Sequence, residues 1–157
     1  MKCVIGVDPG LDGGLAALSS EGLQLCVMPV VAVGKRRQLD EQAIVHWFSG
    51  FAPGACRVFI EAVGARPKQG VTAMFSFGTG WGMLRGICAG LGFSYELVRP
   101  QEWQGEVLKG QPPGSEYLVA SRLWPHAEWR ASERCQKPHD GLVDAALIAK
   151  YGMWRSI

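Results

Sequence analysis

Residues 4–10, VIGVDPG, are the stretch of sequence that decides the fold. The β-branched and apolar residues from Lys2 to Val7 are typical of a buried strand. Pro9 and Gly10 then favour a turn. The sequence therefore predicts a first strand over 2–7 that leaves Asp8 at its carboxyl end.

Two more apolar runs follow the first strand, over residues 13–18 and 23–33. The residues between them, SSEG, have a composition typical of a turn. The sequence therefore predicts an antiparallel meander of three strands. Two further β-rich runs, over 57–62 and 94–98, predict the remaining strands, the first ending near Glu61 and the second at Arg99-Pro100.

Helices are predicted between and after these strands. Asp40 can cap an amphipathic helix over 40–51, and residues 115–123 suggest another helix that Pro125 stops. From His139 onward the apolar residues recur with a period of 3.6, which indicates a final helix. This order predicts one α/β domain over residues 1–157, with helices packed against a mixed sheet.

Residues 73–92 are apolar and carry glycines at a regular spacing. Gly78, Gly82, Gly86 and Gly90 recur every four residues, along one face of a helix. Each glycine costs a helix up to about 1 kcal/mol against alanine. Close approach of another backbone would explain the four glycines; the alternative is that this segment is not one helix.

Composition and charge limit the classes of protein to consider. The chain has 157 residues, of which 48% are hydrophobic and 19% charged, as in a folded globular domain. A net charge of +2 is too small to indicate a polyanionic partner without local clustering. Basic residues do cluster at 35–37 and 66–68 and recur at Lys109, where they are either solvated loop charges or contacts beside a functional site.

Five scattered cysteines without a CxxC pair predict free thiols, with no disulfide framework or zinc site. The first strand begins too early for a signal peptide, and no apolar run reaches the roughly 18 residues of a membrane span. We therefore expect a soluble, cytoplasmic protein with no membrane partner.

Four carboxylates are the candidate functional residues. Asp8 and Glu61 end predicted strands, and Asp140 and Asp144 lie four residues apart on one face of the last helix. Each has a simpler alternative: Asp8 as a turn cap, Glu61 as an exposed strand-end residue and Asp140 as a helix N-cap. Asp144 is harder to explain structurally, because it interrupts an apolar helical stretch.

Converging carboxylates repel each other, so such a cluster persists most readily around cations. Oxygen ligands without a histidine and cysteine set favour Mg²⁺, with Mn²⁺ as the alternative. Two such ions about 3.5 to 4 Å apart can activate water for hydrolysis of a phosphodiester. The carboxylates therefore predict a metal-dependent nuclease with two ions per active site.

The segments that carry these carboxylates resemble the RuvC family, particularly its compact phage-type members. The resemblance covers nearly the whole chain and depends on residues 4–10, 59–61, 98–103 and 139–149. It implies an RNase H-like fold, with a five-stranded mixed sheet whose first three strands are antiparallel. It also implies Mg²⁺-dependent cleavage of branched DNA, such as four-way junctions, by a homodimer that makes paired symmetric nicks in recombination, repair or packaging.

The resemblance also assigns the ligands. Asp8, Glu61 and Asp144 match the first, second and last carboxylates of the family. Many relatives carry the third ligand three residues before the last one, a position that is Gly141 here. We therefore predict Asp140 as the third ligand. His139 is the alternative, as a ligand or a general acid–base group, or else a helix-entry residue without a chemical role.

The resemblance suggests further roles around the site. The corresponding helix of the family contributes to a dimer interface, which would explain Gly78, Gly82, Gly86 and Gly90. Phe75 and Phe77 are candidates for stacking on unpaired bases, although such residues are more often core or interface. Phosphate contacts are predicted for Arg66, Lys68 and Gln69.

Lys109 resembles a family lysine that follows a Pro-x-x-Trp segment and stabilises phosphate charge. Relatives often carry a lysine directly after that tryptophan, where Gln104 stands here. Which lysine acts therefore stays open, and Trp103 itself is predicted to be a packing residue.

Three other classes of protein are compatible with parts of this sequence. Asp8 and the following glycines could hold a nucleotide phosphate, as in sugar kinases and actin-like ATPases, but those proteins pair two such domains in a longer chain. A YqgF-like nuclease acting on RNA has the same fold and related chemistry. A non-catalytic branched-DNA-binding protein is the third alternative, which the presence of all four carboxylates disfavours.

Overall fold

The computed structural model of the chain describes residues 3–64 and 70–156. Within these residues a sheet lies between two layers of helices, and a small hairpin stands beside it. The strands are β1 (Cys3–Asp8), β2 (Gly14–Ser19), β3 (Gly22–Val27), β4 (Val30–Val33), β5 (Arg36–Leu39), β6 (Cys56–Glu61) and β7 (Ser94–Val98). The helices are α1 (Glu41–Phe48), α2 (Val71–Gly90), α3 (Pro100–Val107), α4 (Glu116–Leu123) and α5 (Asp140–Arg155), with a 3-10 turn at Pro53–Ala55.

The main sheet has five strands in the order β3-β2-β1-β6-β7. β1, β2 and β3 form an antiparallel meander, whereas β6 and β7 run parallel to β1. The prediction of a five-stranded mixed sheet with three antiparallel first strands is therefore confirmed. Because β1 and β6 are parallel neighbours, their carboxyl ends, at Asp8 and Glu61, lie at the same edge of the sheet.

The alternation of side chains along β1 separates the core into two layers. Val4 packs with α3, α4 and α5 on one face of the sheet, whereas Ile5 and Val7 pack with α1 and α2 on the other. Both faces are covered, so β1 consists of apolar residues and glycine up to Val7, and only its last residue, Asp8, is charged.

α5 lies unusually close to β1. A Cβ atom added at Gly6 would lie 2.1 Å from the main-chain oxygen of Ala145. One added at Gly141 would lie 2.4 Å from the carbonyl carbon of Gly13. Any side chain at Gly6 or Gly141 would therefore push α5 away from β1 and from the turn that follows it.

α2 is one continuous helix of 20 residues. The prediction of a single helix near residues 73–92 is therefore correct, and the alternative of a broken segment is wrong. Its buried residues are Leu84 and Cys88, which face the sheet.

Among the described residues, no helix combines the length and apolar character needed to cross a bilayer.

The prediction of one third strand over 23–33 is wrong. β3 ends at Val27, and the chain then leaves the main sheet to form the antiparallel β4–β5 hairpin. The amide of Met28 still donates to the carbonyl of Gly13 at 3.1 Å. Pro29 has no amide hydrogen to donate, so ladder pairing cannot continue past Met28.

The sequence analysis also missed α3, because Arg99-Pro100 was interpreted only as the end of a strand. Pro100 is the first residue of α3. An amide hydrogen at this position has no acceptor within the helix, so its absence in proline costs no hydrogen bond. The carboxylate of Glu102 accepts a hydrogen bond from the amide of Arg99 at 2.8 Å, which caps the helix. The proline therefore begins a helix as well as ending β7.

Replacing Gly6 by alanine tests the close approach of α5 to β1. We expect Gly6→Ala to lower the free energy of unfolding by about 1–3 kcal/mol or more, since backbone atoms must move to admit the methyl group. Urea unfolding measures this change. Gly105→Ala is the control: Gly105 lies in α3 with no atom within 4 Å of an added Cβ, so this variant should be as stable as the wild type or up to about 1 kcal/mol more stable. Equal stability of the two variants would contradict the close contact.

Candidate metal centre

Two of the four predicted carboxylates come from the ends of adjacent parallel strands. Asp8 is the last residue of β1 and Glu61 the last residue of β6. Side chains alternate along a strand, so Asp8 lies on the same face as Val4, and Glu61 on the same face as Phe59. Val4 and Phe59 both belong to the core layer beneath α5. The fold therefore directs Asp8 and Glu61 to the face of the sheet that α5 covers.

α5 contributes the other two carboxylates. Asp140 is the first residue of α5 and is exposed, whereas Asp144 is half-buried one turn later among buried apolar residues. The N-cap of α5 is His139, so the alternative reading of Asp140 as the N-cap is wrong. A side chain at position 141 would collide with the turn after β1. A carboxylate side chain at position 141 is therefore excluded in this structure.

The electrostatics of Asp8 show that the carboxylates are brought together. Burial raises the pKa of Asp8 to about 8, and the charges of Glu61, Asp144 and Asp140 add to the increase. These charges include all three other predicted ligands. The four carboxylates that the sequence analysis singled out therefore lie within electrostatic range of Asp8.

A fifth carboxylate, which the sequence does not indicate, affects the pKa of Asp144. Burial raises the pKa of Asp144 to about 7, and Glu61, Glu116 and Asp140 raise it further. Glu116 is the first residue of α4 and is half-buried. No spacing in the sequence indicates this proximity, because Glu116 is brought towards Asp144 by the packing of α4 against α5.

The donor chemistry of this cluster fits a hard divalent cation. Its side chains offer carboxylate oxygens, and burial together with neighbouring negative charges raises the pKa values of Asp8 and Asp144. Within residues 3–64 and 70–156, no three histidine, cysteine or acidic side chains converge on one point as ligands of an ion. Asp8, Glu61, Asp140 and Asp144 are the residues that would hold Mg²⁺ or Mn²⁺.

A buried tryptophan holds Glu61. Trp103 is 0% exposed, and its indole Nε1 donates a hydrogen bond to Oε1 of Glu61 at 2.9 Å. The prediction that Trp103 is a packing residue is correct but incomplete. Its hydrogen bond orients a carboxylate of the cluster from within the core.

A second tryptophan holds the backbone at the same position. Nε1 of Trp81 in α2 donates to the main-chain oxygen of Glu61 at 3.1 Å. The guanidinium of Arg85 lies over the Trp81 ring, 4.7 Å from its centroid. Glu61 is therefore fixed from both faces of the sheet, by Trp103 from the α3 side and by Trp81 from the α2 side.

His139 has a structural role in this protein. Its Nδ1 accepts a hydrogen bond from the amide of Leu142 at 3.3 Å and so caps α5. The second ring nitrogen, Nε2, is the one that a metal or a transferred proton would use. The sequence leaves open whether His139 has a chemical role or only begins the helix. The hydrogen bond to Leu142 supports the role at the start of the helix.

No contact with the carboxylates is seen for the remaining predicted residues that the structure describes, and the others lie outside the described part of the chain. Phe75 is 77% exposed near the start of α2, and Phe77 is partly buried near Gly10 in the turn after β1. Lys109 is exposed beyond α3 and does not figure among the charges that shift the pKa of Asp8 or Asp144. Gly78, Gly82, Gly86 and Gly90 are exposed on α2. The predicted phosphate contacts Arg66, Lys68 and Gln69 lie outside the described residues.

The raised pKa values predict how stability depends on pH without a metal. Between about pH 4 and pH 8 the folded protein retains protons on Asp8 and Asp144 that the unfolded chain has released, so stability should fall as pH rises. In EDTA at pH 8, Asp8→Asn should unfold with a free energy higher than the wild type by on the order of 1–3 kcal/mol. Urea unfolding at pH 8 and pH 4 measures this difference, which should vanish at pH 4. Equal stability at pH 8 would contradict the buried charge cluster.

The contact between Trp103 and Glu61 predicts weaker metal binding when the indole N–H is removed. Trp103→Phe keeps an aromatic ring in the core but cannot donate, and we expect the affinity for Mn²⁺ to fall about tenfold or more. Isothermal titration calorimetry measures this affinity. Trp154→Phe is the matched control, because Trp154 is 44% exposed near the end of α5. Equal Mn²⁺ affinities for the two variants would argue against an orienting role of Trp103.

No family model matches the sequence, and no curated protein sequence matches it. Solved structures do share its fold. RuvC from Thermus thermophilus in complex with a Holliday junction substrate superposes with a TM-score of 0.67 at 14% identity, over 99% of this chain and 95% of that chain. A further Thermus thermophilus RuvC structure has a TM-score of 0.62 at 14% identity, over 98% of this chain and 96% of that chain.

The yeast mitochondrial Holliday junction resolvase Ydc2 is also similar, with a TM-score of 0.56 at 13% identity. That alignment covers 98% of this chain and 78% of the yeast protein. At these identities the likeness concerns the path of the backbone. The chain therefore has the RNase H-like fold of the RuvC-type resolvases.

Proposed function

We propose that this protein is a metal-dependent endonuclease that resolves Holliday junctions and other branched DNA. The observation that carries the proposal is that Asp8 and Glu61 end adjacent parallel strands on the face covered by α5, where Glu61, Asp144 and Asp140 raise the pKa of the buried Asp8. The shared fold supports the choice of substrate, because RuvC from Thermus thermophilus has been seen in complex with a Holliday junction.

Two Mg²⁺ ions are the proposed cofactors, with Mn²⁺ as an alternative. When bound, such ions activate water and stabilise the leaving oxygen of a phosphodiester. Asp8 would be the central ligand, because Glu61, Asp144 and Asp140 all raise the pKa of its carboxyl group. Glu61, Asp144 and Asp140 would be the other carboxylates that hold the ions.

The chain's own residues supply the preorganisation. Trp103 and Trp81 fix Glu61, and the glycine contact between α5 and β1 fixes Asp144 relative to Asp8. Ligands held by strands and a helix, rather than by loops, keep their geometry when the substrate binds. His139 caps α5 and so orients the helix that carries Asp140 and Asp144.

A homodimer is the proposed active form. The four glycines of α2 leave an exposed face without side chains, against which a second helix can pack closely. A two-fold dimer presents two matching active sites to a substrate with related strands, which gives paired nicks. The residues proposed for this interface are Gly78, Gly82, Gly86 and Gly90.

DNA contacts are proposed around the site. Phe75 is 77% exposed and suits stacking on bases that are unpaired at the centre of a junction. Lys109, with Arg66, Lys68 and Gln69, is proposed to contact phosphates. These contacts position the DNA, whereas the carboxylates carry the chemistry.

Cleavage assays test the proposal. A labelled four-way junction, the corresponding linear duplex and a single-stranded RNA are incubated with the protein in Mg²⁺, in Mn²⁺ and in EDTA. We expect symmetric paired nicks confined to the junction, present with either metal and absent in EDTA. Asp8→Asn should lower the rate roughly 100-fold or more while junction binding is kept, because the substitution removes a ligand charge and no core contact.

Three other outcomes would overturn parts of this proposal. Cleavage of RNA alone would favour a YqgF-like nuclease. Junction binding without cleavage in either metal would favour a non-catalytic branched-DNA-binding protein. Normal cleavage by Asp8→Asn would show that the site is wrongly assigned.

A further inference from the structure

The β4–β5 hairpin stands outside the main sheet, next to the candidate metal centre. It follows β3 directly and pairs only with itself, with Val30 opposite Leu39 and Val33 opposite Arg36. At its base the amide of Asp40 donates to the carbonyl of Pro29 at 2.9 Å. All four residues of β4 are exposed, so this strand adds no buried side chain to the core.

One side of the hairpin is fastened to the turn that follows Asp8. Nη2 of Arg37 donates to the main-chain oxygen of Leu11 at 3.0 Å and to the carboxylate of Asp12 at 3.1 Å. Leu39 is 4% exposed and lies against α2, where a Cβ added at Gly80 would be 3.0 Å from it. Arg37 and Leu39 therefore hold the hairpin between the turn after β1 and α2.

The other side of the hairpin faces solvent. Side chains alternate along a strand, so Arg36 and Gln38 lie on the face opposite to Arg37 and Leu39. Their cross-strand partners on this face are Val33 and Val31, which are 54% and 39% exposed. Lys35 is exposed in the turn between the strands. This outer face thus presents two cations that have no role in packing.

Electrostatics indicate what this face binds. The metal centre gathers Asp8, Glu61, Asp140, Asp144 and Glu116, and such a cluster repels a DNA backbone. A polyanion can approach it only where cations beside the centre offset that charge. The hairpin carries three consecutive basic residues, of which only Arg37 contacts the turn that follows Asp8 and pairs with Asp12.

We infer that the β4–β5 hairpin is a DNA-binding arm, whose Lys35 and Arg36 bind backbone phosphates of the duplex arm that enters the metal centre. This inference rests on the proposed function. Arg37 is the positioning residue, because it holds the hairpin against the turn after Asp8. Phosphate contacts of this kind add affinity and set orientation without reading the base sequence.

Equilibrium binding tests this inference. In the Asp8→Asn background, which prevents cleavage, fluorescence anisotropy with two four-way junctions of different arm sequence is measured over a range of salt concentrations. We expect the double variant Lys35→Gln, Arg36→Gln to bind both junctions about tenfold more weakly. The slope of log affinity against log salt should become shallower by about 1 to 2, as expected for the loss of one or two phosphate contacts.

The matched control is Arg122→Gln with Lys150→Gln, which removes the same charge. Both residues lie six positions, or about 9 Å along a helix, beyond the acidic residues Glu116 and Asp144. The control should bind within about twofold of the parent protein. Melting curves verify that both double variants are folded.

The outcomes separate this inference from the proposed function. Equal affinities for the hairpin variant and the control would overturn the binding arm while leaving the resolvase proposal intact. Weaker binding with an unchanged salt slope would also overturn it, because the contact would not be ionic. If the parent protein bound neither junction, the proposed function would fail and the inference with it.

Discussion

The contact between α5 and β1 is the constraint on which the rest of the structure depends. Gly6 and Gly141 allow the helix backbone to lie against the strand and its following turn, at distances that no side chain would permit. Asp144 is carried on the helix side of this contact and Asp8 on the strand side. Since both elements are buried in the same core layer, the separation of the two carboxylates is set by backbone packing rather than by side-chain flexibility.

That packing concentrates negative charge in a partly buried place. Burial and neighbouring carboxylates raise the pKa of Asp8 to about 8 and that of Asp144 to about 7, so the centre destabilises the metal-free protein at neutral pH and above. The two hydrophobic layers and the indole hydrogen bond of Trp103 stabilise the arrangement against this repulsion. A site that is strained without its ligand and relieved by cations is the arrangement expected of a metal centre.

Much of this could be predicted from the sequence. Asp8 follows a strand pattern, Glu61 ends another, and the spacing of Asp140 and Asp144 places them one turn apart on a helix. The contribution of Trp103 could not be predicted, because its partner Glu61 lies 42 residues away and only tertiary packing brings them together. Glu116 was missed for the same reason. The β4–β5 hairpin was missed because its valines continue the apolar pattern of β3, although Pro29 marks the place where pairing stops.

The sequence by itself determined most of the elements but not α3 or the β4–β5 hairpin, because strand and helix periodicity, glycine turns and capping residues act locally along the chain. It also determined the chemical character of the centre, since four carboxylates without a cysteine and histidine set favour hard cations. Only the tertiary structure showed that position 141 admits no side chain, because the turn after β1 takes that space. Only the tertiary structure likewise placed the basic hairpin beside that turn, through contacts of Arg37 with Leu11 and Asp12. Contacts between residues distant in sequence depend on the shape of the assembled core, which no local pattern contains.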